Sequence, residues 1–145
     1  MKTPIESLLN LKRWEEDEAG SNFAVKLKEL AVEEGRRIEL EDSYAAEGMV
    51  LIQGGAVETT IEELKNRRDY MEFLINEIHK QERVIKAKEN EVERARQVLI
   101  EVSMERRTFE KLDEKRKEAI EKEFLRKEQI VSDEHGTTGF SRGRL

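Results

Sequence analysis

The sequence predicts an all-α protein: two long helices forming an antiparallel coiled-coil hairpin, with a longer second helix and a flexible C-terminal tail. Three observations lead there. Leu64, Met71, Ile78, Ile85, Val92 and Leu99 recur every seven residues, a period that slips only slightly against the helical turn and so lays one narrow apolar seam. Thr59 to Val131 contains no Gly and no Pro, and as one helix would run roughly 110 Å. Of the 145 residues, 41 % are charged and 6 % aromatic, a balance poor for a globule and usual in long helices. A helix cannot bury so narrow a seam on itself. It requires a partner helix.

The first helix is predicted over 4–52. Thr3 can cap it, Pro4 suits the first turn where its missing N–H is harmless, and Glu6 can close a capping box. Leu8, Leu9, Ala19, Phe23, Leu30, Leu40, Tyr44 and Leu51 then mark an inward face. Glu16, Arg37 and Glu47 interrupt it, so this seam is weaker than the second. Gly20, Gly35 and Gly48 each cost about 1 kcal/mol relative to Ala inside a helix, and Gly20 or Gly35 could mark a bend. The turn falls at 53–59, where Gly54-Gly55 releases the chain from helical dihedrals and Thr59 or Thr60 with Glu62 or Glu63 restarts it.

The second helix is predicted over 60–131. A turn this short makes the helices antiparallel neighbours, with Tyr44 near Met71, Leu30 near Ile85 and Phe23 near Val92. The first helix is the shorter, so its cover should end near Phe109. Apolar residues nevertheless continue, with a phase shift, through Leu112, Ala119, Ile120 and Phe124. An overhanging helix has no partner in its own chain for such side chains. The hairpin domain is thus 1–131, and 132–145, with three Gly, reads as the tail.

Composition excludes several function classes. With no Cys, there is no disulfide framework, thiolate metal site or Cys nucleophile. No apolar run is long enough for direct membrane insertion. Residues 1–58 hold 7 Lys/Arg against 13 Asp/Glu, and 59–145 hold 20 against 20. Neither part has the concentrated basic stripe of a nucleic-acid binder, so no nucleic acid is expected as a partner.

Catalytic chemistry is equally absent from the pattern. Carboxylates at helical spacing bind paired metals in bundles when joined by Glu-x-x-His motifs. Here Asn76 and Ser132 stand three residues before His79 and His135, so these acids read as a solvated face. No nucleophile with its base can be assembled. The protein is read as a non-enzyme with no cofactor and no metal. Gln81 and Lys88 occupy seam positions, where polar residues cost stability and fix register. Trp14 lies at the helix start, as suited to docking a partner as to packing.

The chain resembles the FliJ family of flagellar export proteins along nearly its whole length. The likeness rests on the apolar-basic start Leu8-Leu9-Asn10-Leu11-Lys12-Arg13, the charged hairpin, and Tyr70-Met71-Glu72-Phe73-Leu74-Ile75-Asn76-Glu77-Ile78-His79-Lys80-Gln81. The end, Glu123-Phe124-Leu125-Arg126-Lys127 before Asp133-Glu134, is similar too, with Gly139-Phe140-Ser141-Arg142 where the family ends in Arg-Phe.

That resemblance implies a cytoplasmic, non-catalytic stalk-like component of the flagellar type III export apparatus, peripherally associated with the inner membrane and a monomer alone. Its partners would be the hexameric export ATPase, the cytoplasmic domain of the export gate protein, and export chaperones. The gate contact carries over to Tyr70, Leu74 and Gln81, with Tyr44 extending it; Glu77 departs from the family pattern there. The ATPase ring would meet Leu8, Leu9, Leu11, Trp14, Leu112, Ile120, Phe124, Leu125, Ile130 and Phe140. Three alternatives fit the same helices: the stalk of a virulence type III secretion system, a rotary-ATPase stalk, and a homodimeric scaffold.

Overall fold

The computed structural model describes residues 3–54 and 60–143, residues 54 and 138–143 by backbone alone. Two helices make up these residues, α1 (Pro4–Gly54, 51 residues) and α2 (Ile61–Gly143, 83 residues). They pack against each other as a hairpin, and no strand occurs among the described residues. The turn expected at 53–59 falls mostly outside them.

Both helix starts are built by threonine. The Glu6 amide donates to Thr3 Oγ1 at 3.2 Å while the Thr3 amide donates to Glu6 Oε2 at 3.3 Å, so each residue satisfies an amide the helix leaves unpaired. Thr60 Oγ1 accepts from the Glu63 amide at 3.2 Å. Gly20 and Gly35 lie within the unbroken α1, and a Cβ at either would meet nothing within 4 Å. α2 carries on past Val131 into the stretch assigned to a tail, reaching Gly143.

The contacts divide the chain into two units. The hairpin unit, 17–100, joins the C-terminal part of α1 to the start of α2. Its inward residues on α2 alternate by three and four: Met71, Leu74, Ile78, Gln81, Ile85, Lys88, Val92, Ala95, Leu99. This is a full two-position heptad, of which the seven-residue repeat was one half. Ala19, Leu74, Ile85 and Ala95 are its buried apolar side chains. A Cβ on Gly48 would lie 3.9 Å from Met71 Cε, so α1 approaches α2 closely there, one turn past Tyr44.

Polar residues in this seam reach across it. Gln81 Nε2 donates to the Glu33 carbonyl at 2.9 Å and to its carboxylate at 2.5 Å. Lys88 pairs with Glu29 at 3.3 Å, Lys26 with Glu91 at 3.6 Å, and Arg67 with Glu47 at 3.4 Å. The hydrogen bond from Lys88 holds the Glu29 carboxyl below its usual range, and the Glu29 carboxylate raises the Lys88 ammonium. Polar side chains at seam positions fix which residues face each other, at a cost in apolar contact.

The terminal unit joins residues 1–16 to 101–145. Its inward side mixes charged with apolar residues: Ile5, Leu9, Lys12 and Glu16 on α1, Val102, Arg106, Phe109, Asp113 and Arg116 on α2. Leu9 is the one buried apolar residue among those described, 4 % exposed. Among the described residues four ion pairs join the helices here: Glu6–Arg116 at 3.1 Å, Lys12–Glu105 at 2.8 Å, Arg13–Glu110 at 3.6 Å and Glu16–Arg106 at 2.8 Å. Lys12 also sits 6.0 Å from the Phe109 ring centroid. The cover therefore extends to Arg116, about two turns beyond Phe109, because α1 begins at Pro4 and its first acid, Glu6, reaches along α2.

Candidate partner-binding surfaces

The terminal unit exposes its apolar side chains in two places. On α1, Leu8, Leu11 and Trp14 face outward, Trp14 60 % exposed. They recur every three residues, so they share one side of the helix while Leu9 and Lys12 take the side toward α2. On α2, Leu112, Ile120, Phe124, Leu125, Ile130 and Val131 are exposed, Phe124 also at 60 %. Ile120 and Ile130 continue the three-four spacing of the seam, and Phe124 and Val131 flank it. α1 has already ended by then. The bonds found there, Arg126–Glu123 and Gln129–Asp133, lie within α2. A seam that outlasts its partner helix leaves apolar surface in water.

Electrostatics follow the ion pairs. The Arg106 guanidinium, then the Ser103 hydroxyl, holds the Glu16 carboxyl below its usual range. Arg116 does the same to Asp113, which is buried. Hydrogen bonds that Lys12 donates to the Glu105 and Glu15 carboxylates raise the pKa of its ammonium. On the outer face of α2, Arg96 and Gln97 lower Glu93 to about 2.

In the hairpin unit, Tyr70 and Phe73 form an exposed aromatic pair, ring centroids 6.3 Å apart and planes 21° from parallel. Glu47, Glu63, Asn66 and Arg67 surround Tyr70 in a shallow depression. Tyr44 is half-buried.

Three residues assigned to partner surfaces are instead consumed by the seam. Leu74 is 2 % exposed, Gln81 is 5 % exposed with its amide engaged by Glu33, and Leu9 is buried. Leu74 lies three residues after Met71 and four before Ile78, the spacing of an inward position. Phe140 lies outside the residues whose side chains are described. Phe73 and Val131 were missed as surface residues. The signal for Phe73 was its place three after Tyr70, on the same face of an exposed turn.

Among the described residues no cluster of His, Asp or Glu is arranged to hold a metal ion, and no helix is long and apolar enough to cross a membrane. No curated protein and no solved structure matches the chain. The flagellar FliJ protein family matches it over residues 1–145, its entire length. The two-helix hairpin with exposed apolar ends thus belongs to a member of the FliJ family, a flagellar type III export protein.

Proposed function

We propose that this chain is the stalk-like, non-enzymatic partner of the hexameric flagellar export ATPase, and that its terminal unit is the part that enters the ring. The carrying observation is the exposed apolar stripe of α2 beyond Arg116, with Ile120, Phe124 and Leu125 at its centre. A stripe of large side chains on a charged helix is a docking surface, since solvated single helices do not keep one. Leu8, Leu11 and Trp14 supply a second contact from α1 of the same unit. On this reading the exposed Tyr70, with Tyr44 beside the seam, addresses the cytoplasmic domain of the export gate. Export chaperones are the third class of partner, and the protein works in the cytoplasm against the inner membrane.

The test is co-purification with the export ATPase. The full chain is expected to bind the ATPase and stimulate its turnover, while a chain ending at Arg116 keeps its hairpin and loses both. Equal binding by the shortened chain contradicts the assignment. Light scattering separates the homodimer alternative: a 17.0 kDa monomer is expected, and a stable dimer would cover the stripe with a second copy instead.

A further inference from the structure

The first four turns of α1 differ from the rest of that helix in what holds them down. Between Pro4 and Glu16 the contact with α2 rests on one buried apolar side chain, Leu9, on the half-buried Ile5, Val102 and Phe109, and on four ion pairs with Glu105, Arg106, Glu110 and Arg116. The pair members are between one-fifth and about one-half exposed, where salt screens them and each contributes little. The same segment turns Leu8, Leu11 and Trp14 outward. Three of its five large apolar side chains are therefore exposed. A helix so arranged is poorly committed to the position it occupies.

We propose that Pro4–Glu16 is a releasable arm, latched onto α2 by charge, which lifts when the terminal unit binds its partner. Release uncovers the half-buried Val102 and Phe109. These stand on the same three-four stripe as Ile120 and Ile130, so the apolar face of α2 lengthens toward the hairpin by about five turns. It also frees Leu8, Leu9, Leu11 and Trp14 to act together, since the arm's inward and outward sides are then both available. Binding is thus coupled to opening: a partner that prefers the open form shifts the equilibrium toward it by its differential affinity. The partner's identity, though not the arm itself, rests on the ring-binding reading above.

Two measurements on the full chain test this. Hydrogen exchange of the free protein is compared at low salt and at about 1 M NaCl, where the screening length falls to about 3 Å. Amides of Leu8–Glu16 are expected to exchange about tenfold faster in high salt, and those of Leu30–Leu40 no more than about twofold faster. An equal response in both segments overturns the proposal. At one fixed salt concentration, Arg106→Gln and Glu6→Gln, which weaken the latch without touching the outward residues, are expected to bind the export ATPase about threefold to tenfold more tightly, because less opening remains to be driven. Unchanged or weaker binding by both variants overturns the coupling. If exchange responds to salt as expected but neither wild type nor variants bind the ATPase, the arm stands and the ring reading falls. If exchange is indifferent to salt while wild type binds, the reverse holds.

Discussion

The hairpin unit and the terminal unit use the same helices and the same spacing to opposite ends. In 17–100 the seam is mostly apolar, with Leu74, Ile85 and Ala95 buried and a few polar bridges fixing the facing residues. In 1–16 with 101–145 the charged residues move inward, to Glu16, Arg106, Asp113 and Arg116, while Leu8, Leu11, Trp14, Ile120 and Phe124 turn outward. Both units expose large hydrophobic residues, but among the described residues the hairpin unit buries four apolar side chains and the terminal unit one. The difference teaches that a coiled coil need not be uniform to be regular: spacing decides that two helices run together, and the chemistry at each inward position decides how firmly.

The contrast can be broken most forcefully at Leu74. Leu74→Ala removes a side chain the seam encloses and is expected to cost about 2–3 kcal/mol, read as a lower urea midpoint with an unchanged slope. A loss below about 0.5 kcal/mol would return Leu74 to the surface. Gln81→Leu is the opposite experiment. It replaces a register-setting polar group with an apolar one and is expected to raise stability by about 1 kcal/mol, at the expense of a single alignment, visible as mixed cross-linking between Cys placed at the facing positions 48 and 71. Unaltered, single-register cross-linking would show that the ion pairs alone set the alignment.

Leu9→Ala sharpens the comparison from the other side. Leu9 is as enclosed as Ile85, but its neighbours are charges near the helix start. The substitution is expected to speed amide exchange over 5–16 while moving the global midpoint by less than about 0.5 kcal/mol. A global loss equal to that of Leu74→Ala would erase the distinction between the units. The smallest effect is that of acid. Glu16 and Glu29 titrate below the usual carboxylate range when folded, so the stability they add is present above that range and disappears as pH falls through their lowered values. Going from about pH 7 to about pH 3 should loosen residues 5–16 before 30–40, by amide exchange, since the arm has few apolar contacts to fall back on. Simultaneous loosening would count against it.

Much of this was legible in the sequence because periodicity survives translation into structure. The repeat from Leu64 to Leu99 announced the seam, and Thr3 with Glu6 announced the first helix start. The second half of the heptad was visible only at Gln81 and Lys88, and beyond Leu99 the first half was hidden too, because Arg106 and Asp113 occupy it and do not look like a core. For the same reason the apolar residues Leu112, Ala119 and Phe124 suggested a shifted seam, whereas the facing positions keep their phase and are filled by Asp113 and Arg116. Leu74 was assigned to the gate contact from a family pattern, while its spacing from Met71 and Ile78 puts it in the seam, where it is buried. The helical stretch from Ser132 to Gly143 was masked by Gly136 and Gly139, whose cost of about 1 kcal/mol each weakens a helix without obliging it to stop. Exposure on a two-helix fold is the hardest property to read, since an outward Leu and an inward one can be adjacent, as Leu8 and Leu9 are.

The central claim is that the stripe of α2 beyond Arg116 exists to be covered by the export ATPase. The most direct test is the affinity of the purified ATPase for wild type and for the double variant Ile120→Asp, Phe124→Asp. Both side chains are exposed, so helicity and the urea midpoint should be unchanged within about 0.5 kcal/mol. Binding should weaken at least about tenfold, as burying a carboxylate in place of an aromatic anchor requires. Wild-type affinity in the double variant, with folding intact, would mean that the ATPase does not touch this face.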